Sequence, residues 1–217
     1  LTGRAVHHAR ADKLRRVRRL KRAELPVDAV ALARFLLGKI LVHDSVEGRT
    51  SGRIVETEAY LVGDAAAHSF RGETARNRSL FRERGHAYVY FIYGCWHALN
   101  VSAETRGVGA GVLLRALVPI EGIPLMQARR GTTRLTDLAR GPGRLATAMA
   151  VDRQLDGTDL CAPGALWLGC DSTPAPKVGV TTRIGLSRES HRPLRFYVRG
   201  PDALAYVSGP RGALSAR

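Results

Sequence analysis

Cysteine and lysine are both scarce in this chain of 217 residues, and long apolar runs are missing. Each shortage narrows what the protein can be. The three cysteines, Cys95, Cys161 and Cys170, are too few and too scattered for a disulfide framework, and none sits in a C-x-x-C pair that would mark a structural zinc site. Beyond residue 24 the only lysines are Lys39 and Lys177. Neither falls in a segment with other chemistry-bearing residues, so amine nucleophiles are disfavoured and water is the expected one. No apolar stretch approaches the roughly 18 to 20 residues that span a bilayer, and the first 24 residues lack the apolar core of a secretory signal. No phosphate-binding G-x-x-x-x-G-K-[ST] loop, dinucleotide fingerprint or deaminase zinc signature occurs, so neither a cofactor nor a metal is expected.

What is present in excess is arginine. Lys and Arg number 34 against 19 Asp and Glu, a formal charge of +15. Residues 1–24 hold nine basic and two acidic side chains, yet the remainder of the chain is still strongly basic. A basic tail alone could serve solubility; a basic body points to a polyanionic partner, most commonly nucleic acid.

Patterning divides the chain into a basic N-terminal tail over 1–25, one domain over 26–207 and a short C-terminal tail over 208–217. The tail reads as flexible or as a frayed helix. Asp28 is placed to cap a helix over about 29–38, where Val30, Leu32, Ala33, Leu36 and Leu37 recur at helical spacing. From Arg49 to about Val118 the pattern is mostly β. Residues 63–81 read as a long loop or broken helix, 86–93 and 96–103 as a hairpin, and 112–118 as a buried strand. Pro119 to Arg130 reads as a helix, 131–141 as a polar loop, 143–151 as a short helix, and strands follow to about Val198. Short turns rather than helical crossovers join the strands, so the expected fold is α+β, a single domain with a mostly antiparallel sheet.

Several residues stand out against this frame. Alternation over Ile54–Tyr60 puts Glu56, Glu58 and Tyr60 on one face. A carboxylate that activates water beside an aromatic wall that holds a planar base is what cleavage of an N-glycosidic bond needs; a solvated edge strand would show the same residues. Tyr88 and Tyr90 share a face of their strand, as core aromatics also do, whereas Tyr93 falls at a hairpin tip, where an aromatic can wedge into a base stack. Arg115 interrupts an apolar strand, and a buried charge must be paired or functional; an ion pair with Glu56 or Glu58 and a phosphate contact are both open. Asn100 could read a base by its amide, and His68 could bond a phosphate or hold a tyrosine. Arg71, Arg76 and Arg78, with Arg82 and Arg84 nearby, could bond phosphates.

At these residues the chain resembles the alkyladenine (3-methyladenine) DNA glycosylase family, in its eukaryotic-type branch that also occurs in bacteria. The matching text includes Gly52-Arg-Ile-Val-Glu-Thr-Glu-Ala-Tyr60, Ala66-Ala-His-Ser69, Arg76-Asn-Arg78, Tyr88-Val-Tyr-Phe-Ile-Tyr-Gly94, Val112-Leu-Leu-Arg-Ala116, Arg140-Gly-Pro-Gly143 and Pro193-Leu-Arg-Phe-Tyr-Val-Arg199. It runs in order from about residue 26 to residue 200. The resemblance implies a curved antiparallel sheet with surrounding helices and a cytoplasmic, nucleoid-associated bacterial enzyme, monomeric and without cofactor or membrane partner. Its partner would be double-stranded DNA containing damaged purines. It implies a monofunctional glycosylase with Glu58 as general base, Arg115 near the water and the backbone phosphate, and Tyr60, Tyr90 and His68 around the flipped base. Asn100 would disfavour normal guanine and Tyr93 would fill the vacated stack. Two departures are the Ala103–Gly111 connection, about two residues longer than the family pattern, and the basic tail, which matches no motif.

Overall fold

The computed structural model describes residues 17–92 and 94–209. Among these, nine strands form one antiparallel sheet flanked by five α-helices, an α+β domain whose sheet curls into a half-barrel. The strands are β1 (Arg18–Arg19), β2 (Ile40–Ser45), β3 (Gly48–Tyr60), β4 (Ala87–Ile92), β5 (Trp96–Ser102), β6 (Gly111–Glu121), β7 (Leu166–Cys170), β8 (Val178–Thr181) and β9 (Arg195–Val198). Their order is β1–β7–β2–β3–β6–β5–β4, with β9 joined to β3 and β8 to β9.

The long strand β3 organises the rest. Along one edge it pairs with β6; along the other, Gly48–Arg53 pairs with β2 and Glu56–Glu58 with β9. The segment holding Glu56 and Glu58 is thus flanked by strands on both sides, and both residues are fully buried. The pairing of β3 with β6 slips twice within a few residues. Ile54 and Glu56 oppose Leu117 and Ala116, which leaves Val55 extra on β3; Glu56 and Thr57 oppose Ala116 and Leu114, which leaves Arg115 extra on β6. A bulge re-aims the side chain it carries. Here the two bulges compensate, so that Ile54–Leu117 and Thr57–Leu114 keep one register while Arg115 stands out of the ladder beside Glu56 and Glu58.

Helix α1 (Ala29–Leu36) starts where capping chemistry predicts, with the Asp28 carboxylate accepting from the Ala31 amide at 2.8 Å. Its buried face, Ala29, Leu32, Ala33 and Leu36, lies against β3, and the Thr57 hydroxyl donates to the Ala33 carbonyl at 2.9 Å. Helix α2 (Ile123–Arg130) begins later than its sequence suggests. Pro119 belongs instead to β6, opposite Gly52 at a register shift, where a residue without an N–H costs the ladder little. Helices α3 (Leu135–Leu138), α4 (Pro142–Ala148) and α5 (Pro201–Leu204) complete the set; α3 lies in the stretch expected as a polar loop.

The basic N-terminal stretch is drawn into the domain from Val17 onward. Arg18–Arg19 pairs with β7, a 3-10 turn covers Arg22–Glu24, and Leu20 and Leu25 are buried in the main core. An arginine-rich strand hides well in sequence, because its short apolar punctuation has no period.

Gly122 joins β6 to α2 with φ +71°, and a Cβ built there would sit 2.2 Å from the Arg49 carbonyl oxygen. Gly122→Ala is therefore expected to cost more than about 1 kcal/mol, read as a lower midpoint in urea. An unchanged midpoint would mean that the turn relaxes freely.

Candidate active site

A cavity of about 400 Å³ opens over the β3–β6–β5–β4 part of the sheet, within the roughly 300–1,000 Å³ range of small-molecule sites. Tyr60, His68, Tyr90, Asn100 and Arg115 all line it. These come from four strands and one loop, and the sheet's curl is what brings them together.

Its floor is ionic. The Glu58 carboxylate lies behind the cavity wall, fully buried, and three donors surround it: the Ile184 amide to Oε1 at 2.9 Å, the Tyr60 hydroxyl to Oε2 at 3.0 Å, and Arg115 Nη1 at 3.2 Å from Oε2. Glu56 accepts from Arg115 Nε at 3.0 Å and from Arg195 Nε at 2.7 Å. It also accepts from both the backbone amide and the hydroxyl of Ser208, each at 2.7 Å. Arg115 was open to pairing with either carboxylate, and it pairs with both. Burial works against its charge, but Glu58 and then Glu56 outweigh that and hold the guanidinium above its ordinary range. Two carboxylates and two guanidiniums leave this buried cluster neutral.

The aromatic side is a ladder of contacts. His68 Nδ1 and the Tyr88 hydroxyl are 2.9 Å apart, the His68 ring meets Tyr90 edge-on at 4.4 Å between centroids, and Tyr88 stacks on Tyr90 at 5.2 Å. Burial pushes the Tyr88 phenol up to about 12. Burial, then the charge of Glu58, pushes the Tyr60 phenol up as well, so its hydroxyl stays a donor. The guanidinium of Arg183 sits 4.7 Å from the Tyr60 ring centre and pairs with Asp64, both fully buried. Asn100, nearly buried, directs its amide nitrogen to the Tyr88 carbonyl at 3.5 Å, a long contact.

The loop carrying His68 is tied by Asn77, whose amide oxygen accepts from the Thr74 backbone at 2.6 Å. Its amide nitrogen donates to the carbonyls of His68 and Gly72 at 2.9 and 3.0 Å. Arg71 and Arg76 line a second, smaller basin that shares His68 and Tyr88 with the cavity. Arg78 is exposed and donates to the Ala75 carbonyl. Arg82 and Arg84 are used structurally, on the carbonyls of Gly157 and Leu25. Tyr93 lies outside the described residues.

Residues 23–202 match the sequence profile of the methylpurine-DNA glycosylase family. The chain belongs to that family. A protein of Mesorhizobium japonicum provisionally named 3-methyladenine DNA glycosylase is 60% identical over 192 residues, 88% of this chain and 91% of that one. One of the same name from Paraburkholderia phytofirmans is 56% identical over 195 residues, 90% of each. A third, from Methanoculleus marisnigri, is 49% identical over 177 residues, 80% of this chain and 91% of that one. The resemblance read from the motifs is thereby borne out, and so is the α+β fold it implied.

Several residues that build the cavity floor are not among the candidates that the sequence offers. Arg195 stands in an apolar strand as Arg115 does, so the same buried-charge argument could have found it. Ile184 acts through its backbone amide, Ser208 through a hydroxyl far along the chain, and Asp64–Arg183 through a pairing across 119 positions. None of these leaves a local signal.

His68 titrates below its ordinary value of about 6.5, because burial, then the charge of Arg76, disfavours the imidazolium. The unfolded chain therefore takes up this proton first. The contribution is full above about pH 6.5 and is lost as pH falls through the folded value. Between pH 7.5 and 5, wild type should lose stability more steeply than His68→Gln in denaturant titrations; equal slopes would clear His68.

Proposed function

We propose that the protein flips alkylated or deaminated purines out of duplex DNA and hydrolyses their bond to deoxyribose with an activated water, leaving an abasic site. The observation that carries this reading is Glu58, a buried carboxylate held by Arg115 and Tyr60 at the floor of an aromatic cavity. Structural ion pairs in a core rarely gain stability over apolar packing, so a charged floor under an aromatic pocket argues for chemistry. The family assignment supports the same substrate class.

In this reading Tyr60, Tyr90 and His68 hold the extruded base, and Asn100 crowds the exocyclic amino group of normal guanine. Extrusion costs a few kcal/mol, least for a damaged or mispaired base, which supplies the first discrimination. Tyr93 fills the vacated stack. Arg71, Arg76 and Arg78 bond phosphates, and with them the basic surface steers the enzyme to DNA.

A carboxylate offers about four acceptor positions, and the surroundings of Glu58 supply three donors, so one O–H of a water can still be accepted. Because Glu58 is closed off by Tyr60, Arg115 and Ile184, the water reaches it only as the wall gives way, and a base stacking on Tyr60 is the event that moves that wall. The water oxygen then bonds to the sugar C1′ as the bond from C1′ to the base nitrogen breaks. The bonding pair leaves with the purine, and the water proton passes to Glu58. An N-alkylated purine departs neutral without a further proton; a neutral lesion needs one. The scarcity of lysine supports water over an amine as nucleophile, and hence a glycosylase without lyase activity.

Single-turnover reactions on duplexes containing hypoxanthine, 1,N6-ethenoadenine or 3-methyladenine test the reading. Wild type should produce abasic sites, and Glu58→Gln should be slower by roughly 10²–10⁴-fold while binding the same DNA. Release undiminished in Glu58→Gln would take the base role from Glu58. Binding without release by either protein would make the chain a binder of damaged DNA.

A further inference from the structure

We infer that Ser208 is a positioning residue for Arg115, so that a segment beyond the last strand, outside every motif that carries the resemblance, sets the geometry of the catalytic floor. The inference rests on the role of Glu58 and Arg115 argued above, and it concerns how that pair is held.

The guanidinium of Arg115 has two edges. On the edge formed by Nε and Nη2, a single carboxylate would normally supply both acceptors as a fork. Here Glu56 Oε1 takes Nε at 3.0 Å, and Ser208 Oγ takes Nη2 at 3.1 Å. Glu56 does not close the fork itself: Oε1 is shared with Arg195, Oε2 is turned to the Ser208 backbone amide at 2.7 Å, and Nη2 goes to the Ser208 hydroxyl. The Ser208 hydroxyl completes both partners: its proton goes to Glu56 at 2.7 Å, and its oxygen receives Nη2. One hydroxyl is therefore donor to the carboxylate and acceptor from the arginine.

The other side of the guanidinium carries Nη1, 3.2 Å from Glu58. A planar group gripped on one edge presents its remaining N–H bonds in fixed directions. Rotation about the Cδ–Nε bond would swing Nη1 away from Glu58 and change what Arg115 offers the cavity that it lines. Glu56 on Nε alone does not prevent that rotation; Ser208 on Nη2 does. Ser208 itself is anchored, since Arg195 donates to its carbonyl while also bonding Glu56. Its neighbour Val207 is buried against Tyr197 of β9. The segment following α5 thus closes over the ionic floor at Glu56 and Arg115 without lining the cavity.

Removing the hydroxyl should leave DNA recognition untouched, because Ser208 does not line the cavity. The experiment compares wild type, Ser208→Ala and Ser208→Thr on a lesion duplex that wild type processes, with Glu58→Gln as the reference for lost chemistry. Single-turnover rates at saturating enzyme and dissociation constants are read well below each variant's melting temperature. Ser208→Ala should be slower by roughly tenfold or more with an unchanged dissociation constant, the size expected when a catalytic group loses its fixed orientation, and Ser208→Thr should recover most of the rate. A Ser208→Ala rate within twofold of wild type overturns the inference, leaving the reading of Glu58 intact. So does a loss that Ser208→Thr fails to recover, or one in which affinity falls in parallel. Should Ser208→Ala not fold, Ser208→Cys gives the same reading, since its thiol keeps the volume but is a weak hydrogen-bonding group: slow turnover with normal affinity supports the inference, and a wild-type rate overturns it. Inactivity of wild type on every lesion would instead fail the glycosylase reading itself.

Discussion

Two carboxylates two positions apart on one face of one strand repel each other, and burying them both is costly unless cations lie between them. Arg115 answers that constraint, and much of the domain follows from how it is placed. In a regular ladder Arg115 would stand directly opposite Glu56, on the same face of the sheet, because side chains alternate; here it is left out of the pairing and reaches both carboxylates. The two bulges in the β3–β6 pairing cancel, one residue on each strand, so that the flanking pairs stay in register while Ala116 takes the place opposite Glu56. Strand β9 then seals the far edge and brings Arg195 as a second cation. The two carboxylates end in different states. Glu56 accepts four hydrogen bonds and has nothing left to offer, while Glu58 retains acceptor capacity and stands nearest the cavity. The strand holds one carboxylate saturated with donors and the other with room for one more.

A short stretch after β8 makes the second decisive contribution. Arg183 stacks on Tyr60 and pairs with Asp64 from the turn after β3, and the next residue gives its amide to Glu58. Tyr60 is thereby held from behind by Arg183 and at its hydroxyl by Glu58, so its ring is both a wall of the cavity and a lid on the carboxylate. The aromatic wall of the cavity and the buried carboxylate are thus coupled through one hydroxyl, and displacing the ring uncovers Glu58.

Local chemistry was readable in advance and long-range chemistry was not. The Asp28 cap, the alternation that puts Glu56, Glu58 and Tyr60 on one face, and the hairpin of β4 and β5 are set by residues within a few positions of each other. Periodicity and capping rules see such features. Arg115 announced itself because a lone charge in an apolar strand demands a partner, but its partner could not be chosen, since that choice depends on the register between two strands, 59 residues apart at Glu56 and Arg115, which no local pattern marks. The strand made by Arg18–Arg19 was hidden by its own charge, and Pro119 was drawn toward the helix because proline commonly opens one. Ser208 and Ile184 act through a hydroxyl and a backbone amide, groups that nearly every segment possesses, so only the tertiary arrangement singles them out.

The charge of the chain separates cleanly into an inner and an outer part. Inside, the guanidiniums of Arg115, Arg183 and Arg195 are matched by Glu56, Glu58 and Asp64, so the floor of the cavity carries no net charge to attract or repel DNA. Outside, Arg71, Arg76 and Arg78 have no carboxylate partner among the described residues, and they surround the loop that carries His68. Exposed charges are screened by salt over about 10 Å at 0.1 M, whereas buried pairs are screened far less. The exposed arginines therefore act through interactions that ionic strength can silence, and the buried pairs through ones that it barely reaches. In the function proposed above, a floor left positively charged would pull phosphate toward the place meant for a neutral or cationic base, and pairing those arginines internally keeps the cavity for the base and leaves the backbone to the surface.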